Sequence, residues 1–247
     1  MTQVVEVAPR VYRLGTSLVN WYVVEDEDGL TVFDAGLANQ RSQLDELLSN
    51  LGRTLSDVRA VVLTHPHPDH VGFAERLRSE HGVPVLVHAA DEQLALTQSG
   101  GKRDGSILPY LRYPAAWRLM GVLARVGKPS RMRIAEVQTF TADGRLDVPG
   151  RPRVLHAPGH TDGCVALHFE GHSALLVGDV LCSRNPLTGR EGVQLMPAAF
   201  ATSTAQALSS IERLESVEAA VIGFGHGDPW RGGVSAAVAD ARATGRT

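Results

Sequence analysis

The segment Thr64-His65-Pro66-His67-Pro68-Asp69-His70 sets three imidazoles and a carboxylate within six residues, directly after the apolar run Ala60-Val61-Val62-Leu63. At the end of a buried strand each such group left unpaired costs about 2–7 kcal/mol, and a bound cation removes that cost. His65 and His67 are two apart, so on an extended segment both imidazoles point the same way. Asp69 and His70 are adjacent and diverge unless the chain turns. Pro66 and Pro68 stiffen the loop, and Asp69-His70 opens a helical pattern over about 71–80. One loop can therefore feed two neighbouring metal positions.

Three later stretches end strands on further candidate ligands: Ala157-Pro158-Gly159-His160-Thr161-Asp162-Gly163, Leu176-Val177-Gly178-Asp179 and Gly223-Phe224-Gly225-His226-Gly227. Each has glycine beside the ligand, where the backbone can turn sharply and approach closely. Any one of them is an ordinary turn; their order after the first segment carries the signal. Nitrogen and oxygen donors without thiolate suit Zn²⁺, with Fe or Mn also possible. A three-nitrogen set leaves one tetrahedral position open, as in catalytic sites.

The pattern HxHxDH after a strand, followed by these three motifs, resembles the metallo-β-lactamase superfamily across essentially the whole chain. The resemblance implies an α/β fold, an αββα sandwich of two mixed β-sheets flanked by helices, with one or two metal ions, usually zinc, at its edge. It assigns His65, His67 and His160 to a first metal and Asp69, His70 and His226 to a second, with Asp179 bridging. It gives Asp69 a catalytic part in orienting the nucleophile or moving its proton. Asp34, in the turn Asp34-Ala35-Gly36, either fixes that turn through its own backbone or lies beneath the metal loop as an acceptor. His81, His88, His156, His168 and His172 match no motif and read as structural or surface residues; Asp162 and Asp228 read as turn residues.

The elements that must position these ligands are legible from periodicity. Val4–Val7, Val11–Leu14, Leu18–Val24 and Leu30–Phe33, separated by Gly15, Asp26–Gly29 and Gly36, read as a β-meander. Leu44, Leu47, Leu48 and Leu51 mark a helix over 40–51. Val58–Leu63 delivers the metal loop, and a strand at 84–87 after the next helix makes a parallel crossover. The second half supplies strands at 153–156, 165–169, 174–177 and 219–222, and helices over about 202–214 and 234–243.

At 247 residues with 43% hydrophobic content, the chain reads as one domain over 1–247. Its formal charge of −3 gives no general affinity for nucleic acid or for an anionic membrane. A basic helical insert at about 102–133 departs from that average: Lys102, Arg103, Arg112, Arg118, Arg125, Lys128, Arg131 and Arg133 stand against Asp104 alone, a net +7 that leaves −10 on the remainder. Leu119, Leu123 and Val126 give it an apolar stripe. Most of these cations read as a solvated face. The alternative is a cap beside the metals, with Tyr110, Tyr113, Trp117 and Met120 lining a pocket and some arginines receiving an anionic substrate group.

Two cysteines, Cys164 and Cys182, are too few for a disulfide framework and fit a reduced compartment. The start MTQVVEVAPR lacks a secretory pattern, and no apolar run reaches the roughly 20 residues of a membrane span. The expected setting is the cytoplasm. The expected partner is a small molecule rather than nucleic acid or membrane; the oligomeric state stays open.

The activity the resemblance implies is hydrolysis of an ester, thioester or lactone by hydroxide generated at a dinuclear zinc site. An aspartate at the Asp179 position is similar to hydroxyacylglutathione hydrolases, lactonases and thioesterases rather than to the antibiotic-cleaving β-lactamases. Only 21 residues follow His226, which leaves no room there for a glutathione-binding helical domain. Alternatives that stay open are a mononuclear iron, sulfur dioxygenase-like oxidoreductase, a β-lactamase and a non-catalytic metal-binding module.

Overall fold

Period-two alternation decides which faces pack. In the computed structural model, which describes residues 4–16, 18–99, 103–126, 132–141 and 143–247, four antiparallel strands come first: β1 (Val5–Ala8), β2 (Val11–Gly15), β3 (Asn20–Asp26) and β4 (Gly29–Phe33). The sheet then continues in parallel through β5 (Val58–Val62), β6 (Val85–His88) and β7 (Gln138–Phe140), in the order β1 to β7. Parallel neighbours need a crossover; α1 (Arg41–Asn50) and α2 (Ala74–His81) supply the first two. Trp21, Val23, Leu30, Val32, Val61 and Leu63 face these helices, meeting Leu44, Leu47, Leu48 and Leu77.

The alternate residues, Tyr22, Val24, Phe33, Ala60 and Val62, point the other way, into a second sheet. That sheet is built from β8 (Arg153–His156), β9 (Val165–Phe169) and β10 (Ala174–Gly178). After the hairpin β11 (Cys182–Arg184) and β12 (Glu191–Gln194), β13 (Val221–Phe224) joins it parallel to β10, giving the order β13-β10-β9-β8. Phe33 and Phe169 meet edge to face between the sheets, ring centres 4.8 Å apart. The outer face of the second sheet, including Leu175, Val177, Ile222 and Phe224, is covered by Ile211, Leu214, Ala237, Val238 and Ala241. These covering residues belong to the turn after α5 (Thr204–Ser210) and to α6 (Val234–Thr244), so the layers run helix, sheet, sheet, helix.

The structure departs from expectation in a few places. The helix after the metal loop begins at Ala74 rather than near residue 71. The reason lies in the backbone: Ala35 N–H donates to His70 O (2.5 Å), and Gly72 N–H donates to Gly36 O (2.9 Å). Residues 70–72 are thus tied to the Asp34 turn instead of to a helix of their own. The expected helix 202–214 splits into α5, capped by the Ser203 hydroxyl on Gln206 N–H (3.2 Å), and a 3₁₀ turn, Ile211–Leu214. A short helix between β6 and the insert, α3 (Glu92–Thr97), the strand β7 and the hairpin β11–β12 were not anticipated.

In the insert, the expected helix is α4 (Pro114–Val126), with Pro114 at its first position, where the missing N–H costs nothing. Ala116 and Leu119 bury against Leu187 and Ala199. Lys102, Lys128 and Arg131 lie outside the described residues. Arg103, Arg112, Arg118, Arg125 and Arg133 are all exposed. Trp117 is 61% exposed, its indole N–H bonded to Leu111 O at 2.7 Å, so it lines no apolar pocket. Among the described residues no helix is long and apolar enough to cross a membrane.

Candidate metal centre

The end of β5 carries Thr64 and His65 into the space between the sheets, and a tight turn, closed by His70 N–H on His67 O (2.9 Å), folds Asp69 and His70 back beside them. That turn resolves the divergence of the adjacent pair: Asp69 Oδ2 lies 3.9 Å from His70 Nε2. From the second sheet, the loop after β8 brings His160, the end of β10 brings Asp179 and the end of β13 brings His226. Ligand atoms of His65, His67 and His160 lie within 4.8 Å of one another, as do those of Asp69, His70 and His226; a third such set is His65, His70 and Asp179.

Asp179 joins the groups. Its Oδ2 lies 3.7 Å from His65 Nε2, 3.3 Å from His160 Nε2 and 3.4 Å from His226 Nε2, while its Oδ1 lies 3.5 Å from His70 Nε2. A methyl group on Gly225 would sit 2.3 Å from Asp179 Oδ1 and 2.7 Å from His70 Cε1, so only glycine leaves room for this approach.

Two observations test whether a cation fits. His160 Nε2 faces both His67 Nδ1 (2.8 Å) and His65 Nε2 (3.2 Å). One proton on one nitrogen cannot serve both contacts, whereas a cation accepts all three lone pairs. Second, His70 Nε2 and Asp179 Oδ1 are buried and have no hydrogen-bond partner among the described residues. Leaving both unpaired is costly; a positive ion beside them satisfies both. The donor set fits a divalent metal.

The electrostatics divide the same way. Burial, reinforced by His70 and His160, drives the His65 pKa well below its ordinary value; burial and His67 do the same for His160. Burial pushes His67 down to about 4. These three are neutral at pH 7, the form that ligates. At His70 burial also opposes charge, but Asp179, Asp34 and Asp69 outweigh it and lift the pKa to about 10. His226 is raised against burial chiefly by Asp179. Asp179 is itself held well below the carboxylate range, against burial, by His226 and His70. Here the carboxylates call for positive charge, which protons or cations can supply.

Asp34 proves to be the acceptor beneath the loop. Its Oδ1 accepts Thr64 N–H at 2.8 Å, and its Oδ2 accepts the Thr64 hydroxyl at 2.8 Å and faces His70 Nδ1 at 2.9 Å. His226 Nδ1 donates to Leu18 O (2.5 Å), which fixes that ring, and Thr64 Oγ1 lies 3.2 Å from His65 Nδ1. The remaining histidines stand apart: His88 and His156 stack at 4.2 Å, His156 and His168 donate to Asp162 O and Glu218 O, and His172 to Pro9 O. His81 Nε2 lies 3.9 Å from Glu80 Oε2. Asp228 pairs with Arg13 at 2.8 Å.

Sequence reasoning missed Asp91. Its carboxylate accepts the Thr161 hydroxyl (2.6 Å) and Gly163 N–H (2.9 Å), bracing the loop that presents His160. No spacing rule links residue 91 to residue 161; only the fold brings them together.

The family model of the metallo-β-lactamase superfamily matches residues 14–226. The chain belongs to this superfamily. Among curated relatives of this superfamily member, a Bacillus subtilis protein named "Probable metallo-hydrolase YflN" is 25% identical over 238 residues, 92% of this chain and 87% of that one. A hydroxyacylglutathione hydrolase of Gloeobacter violaceus is 28% identical over 173 residues, which span 69% of this chain but only 52% of the hydrolase. Among solved structures, a metallo-β-lactamase family protein from Thermus thermophilus superimposes with a TM-score of 0.68 at 25% identity, covering 97% of this chain and 80% of its own. The αββα sandwich is therefore the superfamily's fold.

Proposed function

We propose that this chain is a metallo-hydrolase that cleaves an ester, thioester or lactone at a dinuclear centre, zinc being the metal the donor set suits best. His65, His67 and His160 would hold one ion and Asp69, His70 and His226 the other, with Asp179 shared. The observation that carries this reading is the Asp179 carboxylate, whose two oxygens lie 3.3–3.7 Å from four histidines of both groups. The names of the relatives point to the same reaction class.

A divalent cation of this kind supplies Lewis acidity, polarising a carbonyl oxygen and lowering the pKa of water toward about 7. The protein's own groups do the rest. Asp34, Leu18 O and Thr64 fix the orientation of His70, His226 and His65, so the centre is built before substrate arrives. Asp69, whose side chain is 15% exposed, is more open to solvent than Asp179 at 3%. Its carboxylate lies 3.5 Å from His226 Nε2; in this reading it would take a proton from the attacking water and return it to the leaving group.

The test is metal analysis of the purified protein together with a panel of esters, thioesters, lactones, β-lactams and phosphodiesters. About two metal equivalents per chain and turnover confined to acyl substrates are expected. A single iron with oxygen uptake overturns the reading in favour of oxidative chemistry, and a metal-replete protein inert on the whole panel overturns it in favour of a binding module.

A further inference from the structure

A cavity of about 210 Å³ opens beside the candidate metal centre, with His226 in its wall. Two arginines from different parts of the chain line it. Arg118 comes from α4 in the basic insert, and Arg184 ends β11. Among the described lining residues there is no carboxylate.

Both walls are held in place. Ser183 N–H donates to His226 O (3.1 Å), and a methyl group on Gly227 would lie 2.6 Å from Arg184 N, so the backbone bearing Arg184 runs against the His226 loop. The loop beyond it is fixed by Asn185, buried, whose Oδ1 accepts Leu187 N–H and Thr188 N–H at 3.0 Å each. Leu187 in turn packs with Ala116 and Leu119, which stand on either side of Arg118 in α4. The insert and the hairpin are thus one packed unit with a cationic side chain on each edge.

We propose that this cavity receives an oxyanion group of the substrate, a carboxylate or a phosphate, read by Arg118 and Arg184 while the scissile carbonyl lies at the metals. The proposal rests on the hydrolase reading above and names its substrate class. Guanidinium groups match planar oxyanions through paired N–H donors. Glu191 lies 3.6 Å from Arg184, but it is 80% exposed and its attraction is weakened by solvent, so a bound anion can displace it. The cations named in the insert are thereby told apart: Arg112 lies over the Tyr113 ring at 4.9 Å and is not among the residues lining this cavity, whereas Arg118 is.

The experiment uses metal-replete protein and three phenyl esters of one size, bearing a carboxylate, a phosphate or no charge on the acyl portion. The parent should favour at least one charged ester over the neutral one in kcat/KM by tenfold or more. Arg118→Gln and Arg184→Gln should each cut that preference about tenfold through KM, and Arg112→Gln should leave it at the parental value. Which charged ester is preferred separates carboxylate from phosphate. Calorimetric titration with phenyl phosphate and with benzoate gives a readout independent of turnover: both cavity variants should weaken binding of the preferred anion about tenfold. Should no ester be turned over while the arginine-dependent binding persists, the hydrolase reading fails and the anion site stands. A parent that shows no charge preference, or variants that keep the parental preference and affinity, overturn the proposal.

Discussion

The carboxylate of Asp34 lies 2.9 Å from Nδ1 of His70, behind the face this imidazole turns toward Asp179. On the proposed reading it would hold the proton on Nδ1 and leave Nε2 for the cation. Asp34→Asn keeps the shape but loses the charge, and an outer partner of this kind is worth about 10–100-fold in metal affinity. Competition with a chromogenic chelator should show a loss in that range at one of two sites. An unchanged affinity at both sites would mean that Asp34 serves only the turn.

On the proposed dinuclear reading Asp179 is the shared group, so its loss should be felt by both ions. Asp179→Asn is expected to reduce kcat by more than a hundredfold and to lower metal content below two equivalents, as read by elemental analysis. Because Asn cannot balance His70 and His226, the variant should also bind its remaining metal more weakly than the Asp34 variant does.

Metal removal should reach the fold itself. Five of the seven candidate ligands are buried, and without ions His70 Nε2 and Asp179 Oδ1 have no hydrogen-bond partner among the described residues. Thermal unfolding after chelation should show a lower Tm, restored by one added divalent metal. A Tm that does not respond to chelation would count against bound metal in the purified protein.

Asp91 gives a pH dependence away from the metals. Burial raises its pKa from 3.8 to about 6, despite the hydrogen bonds from Thr161 and Gly163 that favour the charged form. Between those values the folded state holds a proton that the unfolded state has released, so stability falls as pH rises from about 4 to 6 and levels off above. Asp91→Asn removes this dependence. In denaturant titrations the variant should gain on the parent across that window, by up to about 3 kcal/mol for a shift of this size. A constant difference between the two proteins would show that Asp91 is not protonated in the folded state.

Phe33 and Phe169 join the inner faces of the two sheets, ring centres 4.8 Å apart, and neither is exposed. Phe33→Ala should cost about 3–5 kcal/mol in chemical denaturation. On the proposed reading, in which ions join the two sheets, metal in excess should raise the stability of parent and variant alike.

The strongly periodic parts of the fold could be read from the sequence. Strands such as Tyr22–Val24 and Leu30–Phe33 read as nearly continuous apolar runs because both faces of their sheet are covered, and Leu44, Leu47 and Leu48 repeat at helical spacing because one face of their helix is. Four candidate ligands were legible because donors that a core excludes crowd the end of one strand, and three because they stand at later strand ends beside glycine; the resemblance to the superfamily joined them into one set. Other features left no local trace. Cys182–Arg184 and Glu191–Gln194 pair as a hairpin, but they are short and partly exposed, with little alternation to betray them. Arg184 therefore stayed out of view, and Asp91 acquires its role only through contacts 70 and more residues away. The helix start at Ala74 was misplaced because hydrogen bonds to the Asp34 turn, invisible locally, compete for residues 70–72.

His65, His67, Asp69 and His70 hang from the first sheet, and His160, Asp179 and His226 from the second. On the proposed reading neither set alone makes a complete centre, so a nascent chain would acquire tight affinity for ions only once its two layers have closed upon each other. Uptake of the inorganic cargo would then be a checkpoint on correct assembly, and molecules that close badly would forfeit both the ions and the catalysis they confer.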